Sequence, residues 1–329
     1  AAEMARSIIG GMVRDHGFQG VVLIGKGGDP RFSHAAGSAD IARGTALAVD
    51  TPFGIASISK RLTAVAIMRL IERHQLALDA PISAYLPTYR RDTGARVTLR
   101  HLLSNSSGVP NLFIPALRAD PSLLSAELPA VEAIRRFASG DLAFEPGTRF
   151  DYTPTNWFIV LGIIEAATRM AYAEAMHALV LAPLGLRATR LAPSTSTAKS
   201  YRSVSPTVEW LDWRPSYRAA SGGYFSTAHD LLRFAHKVYD TAFLARASRS
   251  ALTTVEIASD SYALGARDRQ LQIEGSGLAA AWETGNVAGY RSVVGHRLDG
   301  RGTVVILNNT AMSQRTMDEF ADALLQLRI

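Results

Sequence analysis

Strand-like segments lie at both ends of this chain and helical periodicity fills its middle, a distribution that limits the fold more than any other feature of the sequence. Near the start, residues 21–24 read as a strand, Gly27-Gly28-Asp29-Pro30 as a turn and residues 31–36 as the returning strand. Near the end, residues 262–266, 271–273, 290–297 and 303–307 read as strands, the last two joined through Asp299-Gly300. Helical spacing marks residues 4–15, where Ile8, Ile9 and Met12 share a face and Gly17 closes the segment. It also marks residues 99–104, 130–138, 157–171, 228–239 and 314–327, with Thr227 ahead of Asp230 as a helix start. A helix over about 57–74 is apolar on most sides, and Arg61, Arg69 and Arg73 form its one polar stripe. Strands from the two termini bury their apolar faces most simply in one sheet. The expected fold is therefore α+β. Residues 1–60 and 215–329 would build an α/β lobe from both termini, and residues 61–214 a mostly helical lobe. A chain of 329 residues is long enough for two lobes.

Composition removes several function classes. Hydrophobic residues make up 47% and charged residues 19%, ample for a core. The net charge of +6 comes from dispersed Arg and Lys, without the basic run of a nucleic-acid arm, so no nucleic-acid partner is expected. No apolar run approaches the ~18 residues of a membrane span. With no Cys, thiol catalysis and Cys-based metal sites are excluded. The eight His residues form no H-E-x-x-H pattern, so neither metal nor cofactor is expected. His101 and His229 read as structural. The start Ala1-Ala2-Glu3 matches what remains after cleavage at a small-residue site, and the lack of Cys suits an oxidising compartment. A periplasmic or secreted setting is the expectation, with a cytoplasmic one as the alternative.

Chemistry concentrates at Phe53-Gly54-Ile55-Ala56-Ser57-Ile58-Ser59-Lys60. Ser57 and Lys60 are three apart, so on a helix both lie on one face. A serine at a helix start sits where unpaired backbone N–H groups favour a developing anion. A lysine one turn on can take the serine proton if its surroundings lower its pKa. This is an S-x-x-K pattern, which by itself also fits a capping serine followed by a solvated lysine.

The wider context resembles the family of serine β-lactamases and penicillin-binding proteins, and within it the class C β-lactamases, family VIII esterases, D-aminopeptidases and DD-peptidases. Five ordered segments carry the resemblance: T-P-F-G-I-A-S-I-S-K-R-L (51–62), L-A-L-D-A-P-I-S-A-Y-L-P (76–87), L-R-H-L-L-S-N-S-S-G-V-P (99–110), F-E-P-G-T-R-F-D-Y (144–152) and S-G-G-Y-F-S-T-A-H-D (221–230). The resemblance implies a β-lactamase/transpeptidase-like fold, an antiparallel sheet flanked by helices plus a mostly helical lobe, with the active site between them. It implies that Ser57 is acylated by a small-molecule or peptide-like substrate and that Tyr152 shares the proton work with Lys60. The backbone N–H groups of Ser57 and Asn286 would form the oxyanion hole.

Two departures from the family pattern bear on the substrate. Where the family often has Y-x-N, this chain has Tyr152-Thr153-Pro154, and Asn156 is the nearest amide side chain. Where the family has K-T-G or H-x-G, this chain has Glu283-Thr284-Gly285. Gly285 would let a substrate approach the strand closely. Glu283 facing the cleft would repel a carboxylate by about 1 kcal/mol at ~4 Å in water, and more in a cleft, unless Arg291 neutralises it. The expectation is an esterase or amidase acting on neutral or amine-bearing substrates. A β-lactamase or DD-peptidase and an acyltransferase of the same fold are the alternatives, and a non-catalytic binding module is the rival from another class.

Overall fold

The computed structural model describes residues 1–210 and 214–329. Its centre is a six-stranded sheet made from β1 (Gly20–Lys26), β2 (Asp29–Ala36), β3 (Arg267–Ile273), β4 (Ser276–Val287), β5 (Tyr290–Arg297) and β6 (Thr303–Asn308), in the order β2-β1-β6-β5-β4-β3. Every pairing is antiparallel, and the join between the termini is β1 on β6, with Val22 opposite Ile306. Tight turns set two registers. Gly27 and Gly28 both have positive φ between β1 and β2, and Gly300 at φ 77° turns β5 into β6.

Alternation along the strands sends successive side chains to two different cores. Val22, Ile24, Val293, Val304 and Ile306 face α1 (Ala2–His16) and the C-terminal helix, packing against Ile9, Phe18, Phe320 and Leu324. Val21, Leu23, Val294, Val305 and Leu307 face the rest of the molecule. That second core runs unbroken through α2 (Ser59–Glu72) into α3 (Leu99–Leu103), α4 (Ala130–Phe137) and α5 (Pro154–Thr168). It continues into α6 (Ala219–Gly222) and α7 (Ala228–Asp240); the C-terminal helix is α8 (Gln314–Leu325). Among the described residues no helix is long and apolar enough to cross a membrane.

Several sequence expectations change. The helix expected from Ser57 is a 3-10 turn, Ala56–Ile58, followed by α2. The polar stripe on α2 is solvated only at its end, where Arg73 is exposed. Arg61 is wholly buried and donates to the Leu252 carbonyl, and Arg69 donates to that of Leu179. Residues 262–266 are not a strand: Tyr262 makes isolated bridges to Ile257 and Arg267, and the chain then turns at Gly265 (φ 79°), whose N–H donates to Leu103. A contact with α3 thus overrides a local strand pattern. Helix α5 begins at Pro154 rather than Trp157. Thr153 caps it by accepting the Thr155 N–H, and Pro154 takes the first turn, where its missing N–H costs nothing.

Candidate active site

The turn carrying Ser57 is held from two sides. On one side Phe53 and Gly54 pair with Ser226 and Phe225, the Ile55 N–H donates to the Tyr224 carbonyl, and Ser59 Oγ accepts the Tyr224 N–H. On the other side β4 presses against the turn at Gly285. A Cβ built there would lie 2.3 Å from the Ile55 carbonyl oxygen and 2.3 Å from Ser292 Oγ, so only glycine fits. Between these clamps Ala56 adopts φ 47°, a left-handed conformation that a non-glycine residue keeps only when its surroundings impose it. The result sets Ser57, half-buried, in the 3-10 turn that leads into α2, with Lys60 one turn behind it.

Lys60 is buried, and its Nζ donates to Ser57 Oγ at 3.0 Å and to the Ser221 carbonyl at 2.8 Å. Burial pulls its pKa below the ordinary lysine value; Tyr152 opposes this, and the charges of Arg214 and Arg218 add to the lowering. A neutral amine beside the serine hydroxyl can accept its proton. Tyr152 completes the group. Its hydroxyl donates to Ser57 Oγ at 2.5 Å, its ring lies 4.5 Å from Lys60 Nζ, and its side chain is 42% exposed, so a substrate can reach it. The loop bearing Tyr152 is tied through Asn105. The Asp151 N–H donates to the Asn105 carbonyl, and Asn105 Oδ1 accepts from Asn156 Nδ2 and Trp157 Nε1.

The structure thus brings Ser57, Lys60 and Tyr152 into one hydrogen-bonded group and places Gly285 and Asn286 at the edge of the same turn. Thr284 is half-buried on β4, and the Asn286 side chain is exposed. Three residues expected to bind substrate do not face the cleft. Glu283 is buried, with Oε1 accepting the Tyr239 hydroxyl at 2.5 Å from α7. Burial raises its pKa, against the opposing pull of Arg61 and the bond from Tyr239. The electrostatic exclusion of carboxylates expected from Glu283 therefore has no structural basis. Arg291 does not neutralise it: the guanidinium donates to the carbonyls of Met312, Ala288 and Tyr290. Asn156 is buried, accepting from Ser107 and donating to Asn105, and supports the Tyr152 loop from within.

Other contributors carried no sequence signal. The Ser221 carbonyl that anchors Lys60 is a backbone group. Thr63 Oγ1, which donates to the Ala220 carbonyl at 3.0 Å, fixes α6 against α2 but reads in the sequence as any buried helix residue. Behind the site, buried polar groups gather around Arg61. Arg61 Nε and Nη2, Glu283 Oε2 and Asp268 Oδ1 are all buried there without a hydrogen-bond partner among the described residues. Burial, offset by Arg61, raises the Asp268 pKa to about 6. No group of three or more metal-ligating side chains occurs among the described residues.

A cavity of about 500 Å³ opens beside the nucleophile turn, lined among others by Ala56, Trp210, Tyr224, Val287 and Tyr290. A second, of about 760 Å³, adjoins it.

A family profile described as Beta-lactamase matches residues 5–326. Esterase EstB of Burkholderia gladioli is 34% identical over 179 residues, which is 51% of this chain and 45% of that protein, so the match spans less than half of the esterase's own length. Penicillin-binding protein 4* of Bacillus subtilis is 27% identical over 321 residues, 89% of this chain and 68% of the relative. Among solved structures, the octameric penicillin-binding protein homologue from Pyrococcus abyssi superimposes with a TM-score of 0.83 at 24% identity, over 98% of this chain and 77% of that one, a likeness of fold.

Proposed function

Because this chain belongs to the β-lactamase family, we propose that it is a serine hydrolase that forms an acyl-enzyme on Ser57 and acts on carboxylic esters or simple amides. The observation that carries this reading is that Lys60 Nζ and the Tyr152 hydroxyl both hydrogen-bond to Ser57 Oγ, with the lysine buried. As Ser57 Oγ bonds to the substrate carbonyl carbon, its proton passes to neutral Lys60. The oxyanion sits between the N–H groups of Ser57 and Asn286. When the bond to the leaving group breaks, the Tyr152 phenol gives that group a proton and regains one from Lys60. Water then attacks the acyl-enzyme by the same route in reverse.

Ester or simple amide is favoured over penicillin by what stands near Tyr152. Pro154 has no amide to hold an acylamino group, and Asn156 is engaged inside the protein. Since Tyr152 protonates the leaving group, that group departs on the Tyr152 side. The acyl group then points toward the cavity of about 500 Å³, which is lined by Ala56, Val287 and Ala288 beside the nucleophile turn and by none of Ser57, Lys60 and Tyr152 themselves.

The test treats the protein with p-nitrophenyl acetate and, separately, with penicillin, following nitrophenol release and intact mass. A burst with an acetyl adduct, both absent in Ser57→Ala, is the expected result. Equal nitrophenol release and labelling in the variant overturn the proposal. A penicilloyl adduct on Ser57 that forms faster than the acetyl one moves the substrate to the β-lactam branch.

A further inference from the structure

The larger cavity has no role in the chemistry above. It is bounded by Leu128, Leu161, Leu191, Tyr172, Tyr217 and Phe225, with a volume of about 760 Å³. Two carboxylates stand at its wall, and both are held by backbone: Glu127 accepts the Ser216 N–H at 3.1 Å, and Glu165 accepts the Tyr172 N–H at 2.9 Å. Arg214 brings a guanidinium to the side shared with the other cavity, and the remaining lining is chiefly apolar. The larger cavity abuts the acyl-side one, for Pro193, Arg214, Gly223 and Phe225 line both. Gly223 contributes no side chain to this partition. The Phe225 backbone is pinned by reciprocal bonds to Arg190 at 2.7 and 2.9 Å, so the side chains that form this partition include its half-buried ring, which meets Tyr290 edge-on, and Arg214.

We infer that this second cavity is an annex to the acyl site, seating the far end of a long aliphatic acyl chain that passes the Phe225 side chain, so that the enzyme prefers medium- and long-chain acyl substrates to short ones. The inference rests on Ser57 acyl-enzyme chemistry and on the acyl group facing away from Tyr152. The combined space exceeds what an acetyl or butyryl group fills, and cavities of a few hundred Å³ or more are the usual size of ligand sites. Each methylene taken from water into such a site favours binding about fourfold, so chain length gives a steep and readable signal.

The experiment measures kcat/KM for p-nitrophenyl esters of two, four, eight and twelve carbons. It compares the wild type with Leu128→Trp and Leu191→Trp, whose residues line the annex and not the acyl-side cavity. The wild type is expected to gain at least tenfold from the four- to the twelve-carbon ester. Each variant should keep the two- and four-carbon rates within twofold, which also reports a sound fold, and lose at least tenfold on the twelve-carbon ester. A wild-type profile that falls with chain length, or variants that leave the long-chain preference unchanged, overturn the inference. A second measurement is independent of turnover: calorimetric binding of dodecanoyl amide to Ser57→Ala, with and without Leu191→Trp. Tighter binding without the tryptophan supports the annex even if no ester is hydrolysed, and equal binding refutes it even if esters are turned over.

Discussion

Replacing Gly285 by alanine tests how the nucleophile turn is held. An alanine Cβ would lie 2.3 Å from both the Ile55 carbonyl oxygen and Ser292 Oγ, and 3.0 Å from the Ile55 carbonyl carbon. That is about 1 Å short of van der Waals contact. The Ile55 side of the contact cannot yield easily, because its N–H is bonded to Tyr224 and the next residue is Ala56 at φ 47°. The strand must therefore withdraw, taking Asn286 with it. Overpacking of this kind costs about 1–3 kcal/mol of stability. A shift of ~1 Å at a reacting centre, or loss of one oxyanion donor, costs about 10²–10³ in rate. The assay is the rate of Ser57 acylation by p-nitrophenyl acetate, read alongside thermal melting. Gly277→Ala on the same strand is the control, since its Cβ would meet only Gln272 Nε2 at 3.5 Å. Acylation within threefold of wild type, with unchanged melting, would refute both the close-packing argument and the placement of the oxyanion hole.

Three further outcomes are expected. Lys60→Ala should slow acylation by about 10²–10⁴. The wild-type rate should rise with pH through a pKa below the ordinary lysine value, because burial favours the neutral amine, and survival of that limb in the variant would assign it to another group. Glu283→Gln, which keeps an acceptor for Tyr239, should leave the ratio of rates on neutral and carboxylate-bearing esters unchanged, and a shift above threefold would put Glu283 back in the cleft. Asp268, with its folded pKa raised to about 6 by burial against the pull of Arg61, binds its proton more tightly folded than unfolded. Its contribution to stability is present below the unfolded value near ~4 and is lost as pH rises through about 6. The wild type should therefore lose melting temperature between about pH 4 and 6 relative to Asp268→Asn, and parallel curves would contradict this.

What could be read from the chain alone was whatever local spacing encodes. Ser57 and Lys60 sit on one helical face because three residues make nearly one turn. The strands of the sheet announce themselves through apolar runs bounded by Gly27-Gly28 and Asp299-Gly300. The ordered segments around Ser57 and Tyr152 carried the family resemblance. Tertiary structure decided the remainder, because it depends on which atoms lie opposite. Strand alternation puts Glu283 and Gly285 on the same face of β4, but only the docking of α7 supplies Tyr239 to draw the Glu283 carboxyl inward. Likewise Asn156 looked available two residues past Pro154, yet the first turns of α5 point it at Ser107 and Asn105. Lys60 differs from a solvated lysine only because α6 buries it and offers the Ser221 carbonyl, a backbone acceptor with no signature in residue type. Proximity along the chain follows from the geometry of one helix or strand, whereas desolvation and the identity of a partner on another element exist only once the elements have packed.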